Sequence, residues 1–264
     1  MICSHLAACQ ETPVSAAPVI RVRITERAGT SSATCGLALG WSVRSRAPAH
    51  RASTGGMTDD FREQSQSPVA DPLHDFNAIY DTAPPWDIGR PQPAFQRLAE
   101  SGSLVGNVLD VGCGTGEHAL LAASLGLMAL GIDFAPRAIE LAQTKASERG
   151  VGARFKVWDA LDLPGLGEHF DTVLDCGLFH VFDDDQRSSY VSSLEAAISA
   201  NGHFYMLCFS DRQPGDWGPR RVTEEEVHTS FAEGWRVDSI EPAVIDITID
   251  PNGAQAWLAV VTRV

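Results

Sequence analysis

The segment VLDVGCGTG at residues 108–116 combines one carboxylate with three closely spaced glycines. Gly112, Gly114 and Gly116 follow a short β-branched run, where glycines let the backbone approach a ligand closely and adopt positive φ. Their GxGxG spacing departs from the GxGxxG of dinucleotide binders. Asp110 stands at the strand end, where its carboxylate would repel a pyrophosphate and attract an ammonium or sulfonium group. The segment therefore predicts a site for a positively charged ligand, with the Gly-rich turn of another Rossmann-like protein as the alternative.

Two further carboxylates follow the next two strands. Asp133 ends MALGID, about 20 residues past the glycines, a position from which an acid accepts hydrogen bonds from ribose hydroxyls. Asp159 ends the following strand, where with Ala160 it can meet an adenine edge. Each acid alone is more often a turn or cap residue. Because the carboxyl ends of parallel strands meet at one edge of a sheet, the three acids together predict a nucleoside site there.

An alternation of strands and helices must position these residues. Strands are predicted at 107–113, 127–133, 153–159, 169–177, 203–210 and, around a Pro-Asn-Gly turn, 235–249 and 255–263. Helices are predicted at 94–101, 117–126, 136–150, 183–202 and 223–234, with a shorter one at 74–81. Such alternation is typical of a parallel sheet covered by helices. The sequence predicts an α/β fold: a Rossmann-like, seven-stranded, mostly parallel sheet with helices on both faces and the last strand antiparallel.

Composition narrows the function classes. The 264 residues carry 20 Lys and Arg against 34 Asp and Glu, a net charge of −14. This balance argues against a nucleic-acid binder, because phosphate neutralisation needs a basic surface. The longest charge-free apolar stretch, 119–132, is too short to span a bilayer. Cys113, Cys176 and Cys208 lack metal-ligand spacing, so no metal is expected. We expect a cytoplasmic protein, monomeric or weakly homo-oligomeric, without nucleic-acid or membrane partners.

The chain begins with a segment unlike the remainder. Residues 1–56 hold six Arg and two acids, a net charge of +4, so the rest of the chain carries −18. We expect residues 1–73 to be a disordered or misannotated extension and arm, with Met57 as a candidate true start; an Arg- and Ser-rich organellar transit peptide is the alternative. Residues 74–264 are expected to form one domain whose N-terminal lid segment, 74–101, includes the proline-rich PPWDIGRPQP.

Four motifs, LDVGCGTG, GIDFAPRAIELA, WDALDL and FDTVLDCGLFHVF, follow one another in the order found in class I S-adenosylmethionine-dependent methyltransferases. From about residue 74 onward the chain resembles that family. PPWDIGRPQPAF is similar to the segment before the first motif in thiopurine S-methyltransferase-like, halide/thiol methyltransferase-like and heterocyclic-toxin methyltransferase-like enzymes. The resemblance implies S-adenosyl-L-methionine as cofactor and methyl transfer to S, N or O of a small aromatic, heterocyclic or thiol acceptor, in detoxification or secondary metabolism. An NAD(P)-dependent oxidoreductase and a non-catalytic cofactor-binding module remain alternatives.

The resemblance also assigns cofactor contacts. It gives the methionine part to Asp110, Gly112 and Gly114, the ribose to Asp133, the adenine to Asp159 and Ala160, and the surroundings of the methyl group to Asp175 and Cys176. Cys113 and Phe134 are further expected cofactor contacts. The aromatic face of Trp86 can stabilise a sulfonium. Anchoring of the proline-rich arm is the alternative role for Trp86.

His180, in CGLFHVF after the fourth strand, is the predicted general base, because the ordinary pKa of histidine lies near neutrality. The alternative is a histidine that holds its loop through hydrogen bonds. Phe179 and Phe182 are predicted acceptor-pocket walls, or else core residues.

The segment 210–227 has the length and composition of an active-site cover, and we call it the cover loop. Arg212, Arg220 and Arg221 are unusual in so acidic a protein and could meet an anionic acceptor, while Trp217 could close over it. A solvated, salt-bridged loop is the alternative.

Overall fold

The computed structural model describes residues 77–264. The expected extension 1–73, with its candidate start, lies outside the described residues, and the assignment of one domain with a lid segment stays a prediction. After a helical turn at 77–79, residues 84–92 run without helix or strand, as their three prolines favour. Helix α1 (Pro93–Glu100) then begins with a proline, whose missing N–H would have had no partner there.

Seven strands form one sheet in the order β3-β2-β1-β4-β5-β7-β6. The strands are β1 (Asn107–Val111), β2 (Met128–Asp133), β3 (Arg154–Val157), β4 (Phe170–Cys176), β5 (Ile198–Phe209), β6 (Trp235–Ile247) and β7 (Asp250–Arg263). Strands β1 to β5 are parallel, and β7 is antiparallel to both β5 and β6. The predicted fold class, a Rossmann-like α/β sheet with the last strand antiparallel, is confirmed.

Helices cover both faces of this sheet. They are α2 (Glu117–Ser124), α3 (Pro136–Arg149), α4 (Asp184–Ala197) and α5 (Glu224–Ser230), in addition to α1. The core under α1 and α2 includes Phe95, Ala122 and Leu207, and the core under α4 and α5 includes Leu194 and Phe231. Burial of each such Leu or Phe side chain stabilises the folded state by roughly 1.5–3 kcal/mol relative to an exposed one. None of the helices in residues 77–264 is both long and apolar enough to cross a membrane.

The predicted helix 183–202 is too long. Helix α4 ends at Ala197, and β5 begins at the next residue, Ile198, whose side chain is fully buried. Asn201 has a φ of 64°, a left-handed conformation that interrupts a helix. Pairing with β4 therefore overrides the helical pattern over these residues.

The turn of the last hairpin also differs from the prediction. Ile247 pairs with Asp250, so the hairpin turns at Thr248 and Ile249, and the Pro-Asn-Gly sequence lies inside β7. Gly253 has a φ of 67° and lies opposite a register shift in β6. The glycine therefore serves a bulge rather than a turn, because positive φ is needed in both places.

The sheet order determines where a ligand can lie. Strand β1 is central, with β2 on one side and β4 on the other, so the chain leaves the carboxyl ends of β1 and β4 in opposite directions. Such a switch point leaves a crevice outside the carboxyl ends of the strands. The loops that follow β1, β2 and β4, together with the arm 77–92, surround this crevice.

Candidate active site

The loop after β1 is a turn that glycines favour. Gly112, Gly114 and Gly116 have φ values of 66°, 52° and 87°, in the left-handed region. A Cβ built on Gly112 would lie 3.2 Å from Leu178, and one on Gly114 would lie 3.1 Å from the Tyr80 hydroxyl. The loop therefore presents bare backbone as a cradle, bordered by the β4 loop and by the arm.

Asp110 is buried near the end of β1 with one carboxylate oxygen unpaired. Its Oδ2 accepts the Ala119 N–H at 3.0 Å, whereas its Oδ1 has no hydrogen-bond partner within residues 77–264. The His118 Nδ1 lies 3.8 Å from Oδ1, too far for a hydrogen bond. An unpaired buried carboxylate oxygen is costly, so this atom suits the ammonium group of a ligand.

Asp133, at the end of β2, ties the glycine loop to the start of α3. Its Oδ2 accepts the Gly114 N–H at 2.8 Å, and its Oδ1 accepts the Ala135 N–H at 2.9 Å. Burial raises the pKa of Asp133, against the lowering effect of these hydrogen bonds. Each oxygen keeps further acceptor capacity, which suits the two hydroxyls of a ribose.

The residues predicted to meet an adenine lie at the rim of the sheet. Asp159 is exposed and caps a 3-10 helix, Ala160–Leu166, by accepting the Leu161 N–H at 2.9 Å. Ala160 is half-buried, and Phe134, after β2, is exposed. Asp159 thus has the cap role that the sequence left open, and its contact with an adenine stays a prediction.

The arm brings aromatic and acidic side chains to the glycine loop. The Tyr80 hydroxyl borders Gly114, and burial raises the pKa of Tyr80, so the phenol stays protonated. Asp87 accepts a hydrogen bond from the Thr115 hydroxyl at 2.9 Å. Trp86, between them in sequence, is 46% exposed. Its ring is therefore available to a ligand, although the predicted contact with a sulfonium stays a prediction.

Ion pairs hold this arm from two sides. The Lys145 Nζ of α3 lies 3.7 Å from Asp87 and 2.8 Å from Glu117 of α2. On the other side, the Arg90 Nη2 lies 2.7 Å from Asp246 of β6. The arm is therefore fastened to two helices and to the last hairpin.

Asp175, near the end of β4, turns its carboxylate into the protein. It is fully buried and accepts hydrogen bonds from the N–H groups of Leu178 at 2.8 Å and Phe179 at 3.1 Å, and from the Tyr190 hydroxyl at 3.0 Å. Burial raises the pKa of Asp175 to about 7. These bonds direct the carboxylate to its own loop and to α4, and the prediction that Asp175 and Cys176 lie beside the methyl group stays a prediction. Cys176 is half-buried, and burial raises the pKa of its thiol well above the usual range.

His180 lies in a short 3-10 helix, Phe179–Val181, and is buried. Its Nδ1 accepts the Phe209 N–H at 3.0 Å, so the neutral ring carries its proton on Nε2 and has no free lone pair to receive another. Burial and, second, the charge of Arg221 lower the pKa of His180 to about 3. This geometry contradicts the predicted general base and agrees with the alternative of a histidine that holds its loop.

The two phenylalanines beside His180 belong largely to the core. Phe179 is fully buried and stacks on Phe231 with 5.9 Å between ring centroids. Phe182 is half-buried and packs on Tyr190 at 4.9 Å. The prediction of Phe179 as a pocket wall is wrong, because its ring has no exposed surface; that of Phe182 stays a prediction.

The cover loop is closed at its base by a bridge between Ser210 and Val222. Arg220 lies 2.7 Å from Asp184 and is also paired with Glu226. Two carboxylates therefore neutralise its charge. This pairing contradicts the prediction that Arg220 meets an anionic acceptor.

Arg212 and Trp217 of the cover loop differ in their surroundings. The Arg212 guanidinium lies 5.5 Å from the Trp257 ring, in a groove that α1 and β6 also line. The predicted contact of Arg212 with an acceptor stays a prediction. Trp217 is 40% exposed and meets the Phe209 ring edge-on at 5.6 Å, so its role as a cover stays a prediction.

The sequence did not indicate a role at this edge for three residues, Thr115, Tyr80 and Leu178, and it did not single out a fourth, Arg221. Thr115 stands inside the glycine motif, Tyr80 was assigned only to a helix face, and Leu178 is one apolar residue among several. Arg221 was not distinguished from the two other arginines of the cover loop. Only Thr115 carried a usable signal, because a hydroxyl within a glycine turn commonly forms local hydrogen bonds.

Comparison with known proteins agrees with this geometry. Residues 108–202 match the methyltransferase domain family. The chain is 39% identical over 163 residues to the 2-heptyl-1-hydroxyquinolin-4(1H)-one methyltransferase of Mycobacteroides abscessus, a match that covers 61% of this chain and 72% of that enzyme.

Two solved structures share the fold. One, described as "Conversion of a Disulfide Bond into a Thioacetal Group during Echinomycin Biosynthesis", has a TM-score of 0.67 and 38% identity, and the match covers 72% of this chain and 92% of that chain. The other is magnesium protoporphyrin IX methyltransferase of Synechocystis PCC 6803 with bound S-adenosylmethionine, with a TM-score of 0.52, 19% identity and coverage of 65% and 76%. The fold, the family and the cofactor inferred from the motifs are confirmed. The chain therefore belongs to the class I S-adenosylmethionine-dependent methyltransferases.

Proposed function

We propose that this methyltransferase acts on sulfur, nitrogen or oxygen of a small aromatic, heterocyclic or thiol acceptor, in detoxification or secondary metabolism. Two relatives support this choice. One is named for a hydroxyquinolinone, and the other belongs to the conversion of a disulfide into a thioacetal. Both names describe chemistry on small molecules, and a net charge of −14 disfavours a nucleic acid as the acceptor.

The residues at the strand ends fit the cofactor. When bound, S-adenosylmethionine supplies a methyl group on a positively charged sulfur. The unpaired Oδ1 of Asp110 would hold the ammonium group, and Asp133 would hold the ribose hydroxyls. Gly112 and Gly114 would offer bare backbone to the methionine part, and Leu178 and the Tyr80 hydroxyl leave little space for a Cβ on either glycine. The exposed face of Trp86 suits a sulfonium.

One observation carries the acceptor class: an aromatic wall beside a positive charge at the carboxyl ends of β4 and β5. Phe209 and Trp217 form the wall, and the Arg221 guanidinium lies 5.4 Å and 6.0 Å from their ring centroids. A flat acceptor can stack on the exposed Trp217 ring, because aromatic rings favour such contacts.

The acceptor must lose its proton without help from His180 or Cys176. His180 has no free nitrogen lone pair, and the Cys176 thiol stays protonated at neutral pH. Thiols and acidic hydroxyls ionise without help, and positioning of two bound reactants supplies much of the rate enhancement. The chain's residues therefore favour acceptors that are acidic enough to lose a proton unaided.

A labelled-methyl screen tests the function. The protein is incubated with S-adenosylmethionine carrying a labelled methyl group and a panel of thiols, phenols, N-hydroxy heterocycles and amines. We expect label to appear in at least one acidic aromatic acceptor. Tight cofactor binding by calorimetry without label transfer to any acceptor would instead indicate a binding module.

The role of His180 gives a separate prediction. We expect His180→Ala to lower the free energy of unfolding by about 2 kcal/mol, because the buried Phe209 N–H loses its acceptor. His180→Asn, whose amide oxygen can replace Nδ1, should recover most of this loss in thermal denaturation. If His180→Asn is as stable as the parent but loses the pH dependence of its methyl-transfer rate, His180 acts as a base.

A further inference from the structure

The three arginines of the cover loop differ in how their charges are balanced. Two carboxylates pair with Arg220, and Arg212 lies over Trp257 in another groove. Arg221 has no carboxylate within ion-pair distance in the described part of the chain. Of these three, Arg221 is thus the one that lies beside Phe209 and Trp217 without an acid to neutralise its charge in the described part of the chain.

Backbone carbonyls hold the Arg221 guanidinium in place. Its Nε donates to the Gln213 oxygen at 3.3 Å, its Nη1 to the Pro219 oxygen, and its Nη2 to the Gly215 oxygen at 3.1 Å. These acceptors are neutral, so they fix the group without cancelling its charge. A guanidinium has five N–H donors, and two remain for a ligand.

The same guanidinium lies at the acceptor end of the crevice. Cys176 of β4 pairs with Leu207 of β5, and Phe209 follows two residues later. Phe209 contacts both His180 of the β4 loop, through its N–H, and Arg221, through its ring. Arg221 therefore adjoins the end of β4, next to the central strand that carries the cofactor cradle.

We propose that Arg221 makes this enzyme select acceptors that bind as anions: aromatic or heteroaromatic compounds whose oxygen or sulfur is already deprotonated. The inference rests on the proposed function and names its substrate class. The proton leaves to solvent when the acceptor binds, so no side chain has to receive it. This agrees with a neutral His180 whose acceptor nitrogen is occupied.

The ionisable groups around Arg221 define its effect. Asp216, on the same loop, is exposed and attracts the guanidinium at longer range. His180 stays neutral at working pH, since its pKa is about 3, and Arg220 is balanced by its own carboxylates. The net charge near Phe209 and Trp217 is therefore positive, and solvent screening weakens the opposing contribution of Asp216.

A bound chromophore tests this charge directly. 4-Nitrophenol, whose anion absorbs visible light, is titrated with pH in the presence of the full-length protein and S-adenosylhomocysteine. We expect its apparent pKa to fall by about one unit on binding, a tenfold change in the ionisation equilibrium. Failure of 4-nitrophenol to bind, or an apparent pKa equal to that in water, would overturn the proposal.

Variants separate the charge from the loop contacts. Arg221→Gln should abolish the shift, Arg221→Lys should keep about half of it, and Asp216→Asn, on the surface, should enlarge it up to twofold. Arg97→Gln, an arginine on α1, is the matched control and should leave the shift unchanged. Asp216→Asn keeps the test valid if Arg221→Gln does not fold, because a reduced or unchanged shift in Asp216→Asn contradicts the proposal.

Comparing kcat/KM between acidic and neutral acceptors distinguishes an effect of the Arg221 charge from an effect on the structure of the loop. In Arg221→Gln, kcat/KM for acidic phenols should fall about 10- to 100-fold at neutral pH, with a smaller loss for neutral amines. Equal losses for both classes would mean that Arg221 only holds the loop. A wild-type protein that methylates nothing refutes the proposed function, whereas methylation without a shift of the bound phenol refutes only the role of Arg221.

Discussion

Asp110→Asn is expected to weaken S-adenosylmethionine binding about 100-fold while leaving the fold intact. The substitution keeps the shape of the side chain and, through its carbonyl oxygen, the hydrogen bond from the Ala119 N–H. It removes the charge beside the position assigned to the ammonium group. Loss of a buried, hydrogen-bonded charge partner typically costs about 2–5 kcal/mol of binding free energy, and a 100-fold change lies within that range.

The stability of the cofactor-free protein should not fall with the cofactor affinity in this variant. The Oδ1 of Asp110 is buried without a hydrogen-bond partner, which is unfavourable for an ionised group. A neutral amide relieves part of this cost, so the variant should be at least as stable as the parent in thermal denaturation. Weaker binding together with unchanged or greater stability distinguishes a ligand contact from a structural carboxylate.

Asp171→Asn is a matched control. Asp171 is also a carboxylate bonded to a backbone N–H, that of Asn107 at 2.9 Å, but it lies at the amino end of β4. Calorimetry on both variants should show a large loss of cofactor affinity for Asp110→Asn and none for Asp171→Asn. Equal affinities of Asp110→Asn and the parent protein would show that Asp110 is not the ammonium contact.

The glycine cradle was predictable because its causes are local. Gly112 and Gly114 have the positive φ that their spacing indicated, and Asp133 lies where the length of one strand-loop-strand unit brings it. The capping box at the start of α5 is likewise local, because Thr223 and Glu226 form it within four consecutive residues. Each of these features depends on residues that are close in sequence or on the regular spacing of parallel strands.

The errors concern contacts between distant parts of the chain. Histidine chemistry alone suggested a base at His180, but its Nδ1 is occupied by the N–H of Phe209, 29 residues away. The family resemblance assigned Asp175 to the surroundings of the methyl group, and it gave no sign that a hydroxyl from α4, that of Tyr190, helps to turn the carboxylate inward. Arg220 is paired and Arg221 is not, because α4 and α5 bring Asp184 and Glu226 to Arg220. No local pattern contains that information.

The conformation of the arm depends on its own sequence, and its position depends on packing contacts. Its prolines predicted an extended segment, and the structure shows why that segment stays at the crevice. The Gln92 side chain exchanges hydrogen bonds with the backbone of Asp246, at 2.8 and 3.0 Å, while Asp87 faces Thr115 and Lys145 on the opposite side. Trp86 lies between Asp87 and Pro85, whose carbonyl oxygen accepts the Thr248 N–H at 2.8 Å, so the backbone is held on both sides of this ring.

Asp175→Asn is expected to change how stability depends on pH, and the direction follows from the raised pKa. In the parent protein the carboxyl has a pKa of about 7 when folded and near its ordinary value of 3.8 when unfolded. The folded state then binds more protons between these values, so Asp175 makes stability fall as pH rises from about 4 to 7. A pKa shift of this size corresponds to a free energy on the order of 4 kcal/mol.

His180 contributes the opposite slope. Its pKa falls from 6.5 to about 3 on folding, so the unfolded state binds more protons and stability is lost as pH falls below about 6.5. In the parent protein the two contributions largely cancel between about pH 4 and 6.5. In denaturant unfolding, the combined contribution of these two groups to the free energy of unfolding should therefore change little across this pH range.

Each substitution should reveal the slope of the other residue. Asp175→Asn should gain stability as pH rises from 4 to 6.5, because only the contribution of His180 remains, and His180→Asn should lose stability over the same range. Asp175→Asn also places an amide N–H against the N–H donors of Leu178 or Phe179, so at pH 5 it should be about 1–3 kcal/mol less stable than the parent. The deficit should shrink towards pH 8, where the parent buries an ionised carboxylate. A deficit that stays constant from pH 5 to 8 would mean that Asp175 ionises alike in the folded and unfolded chains.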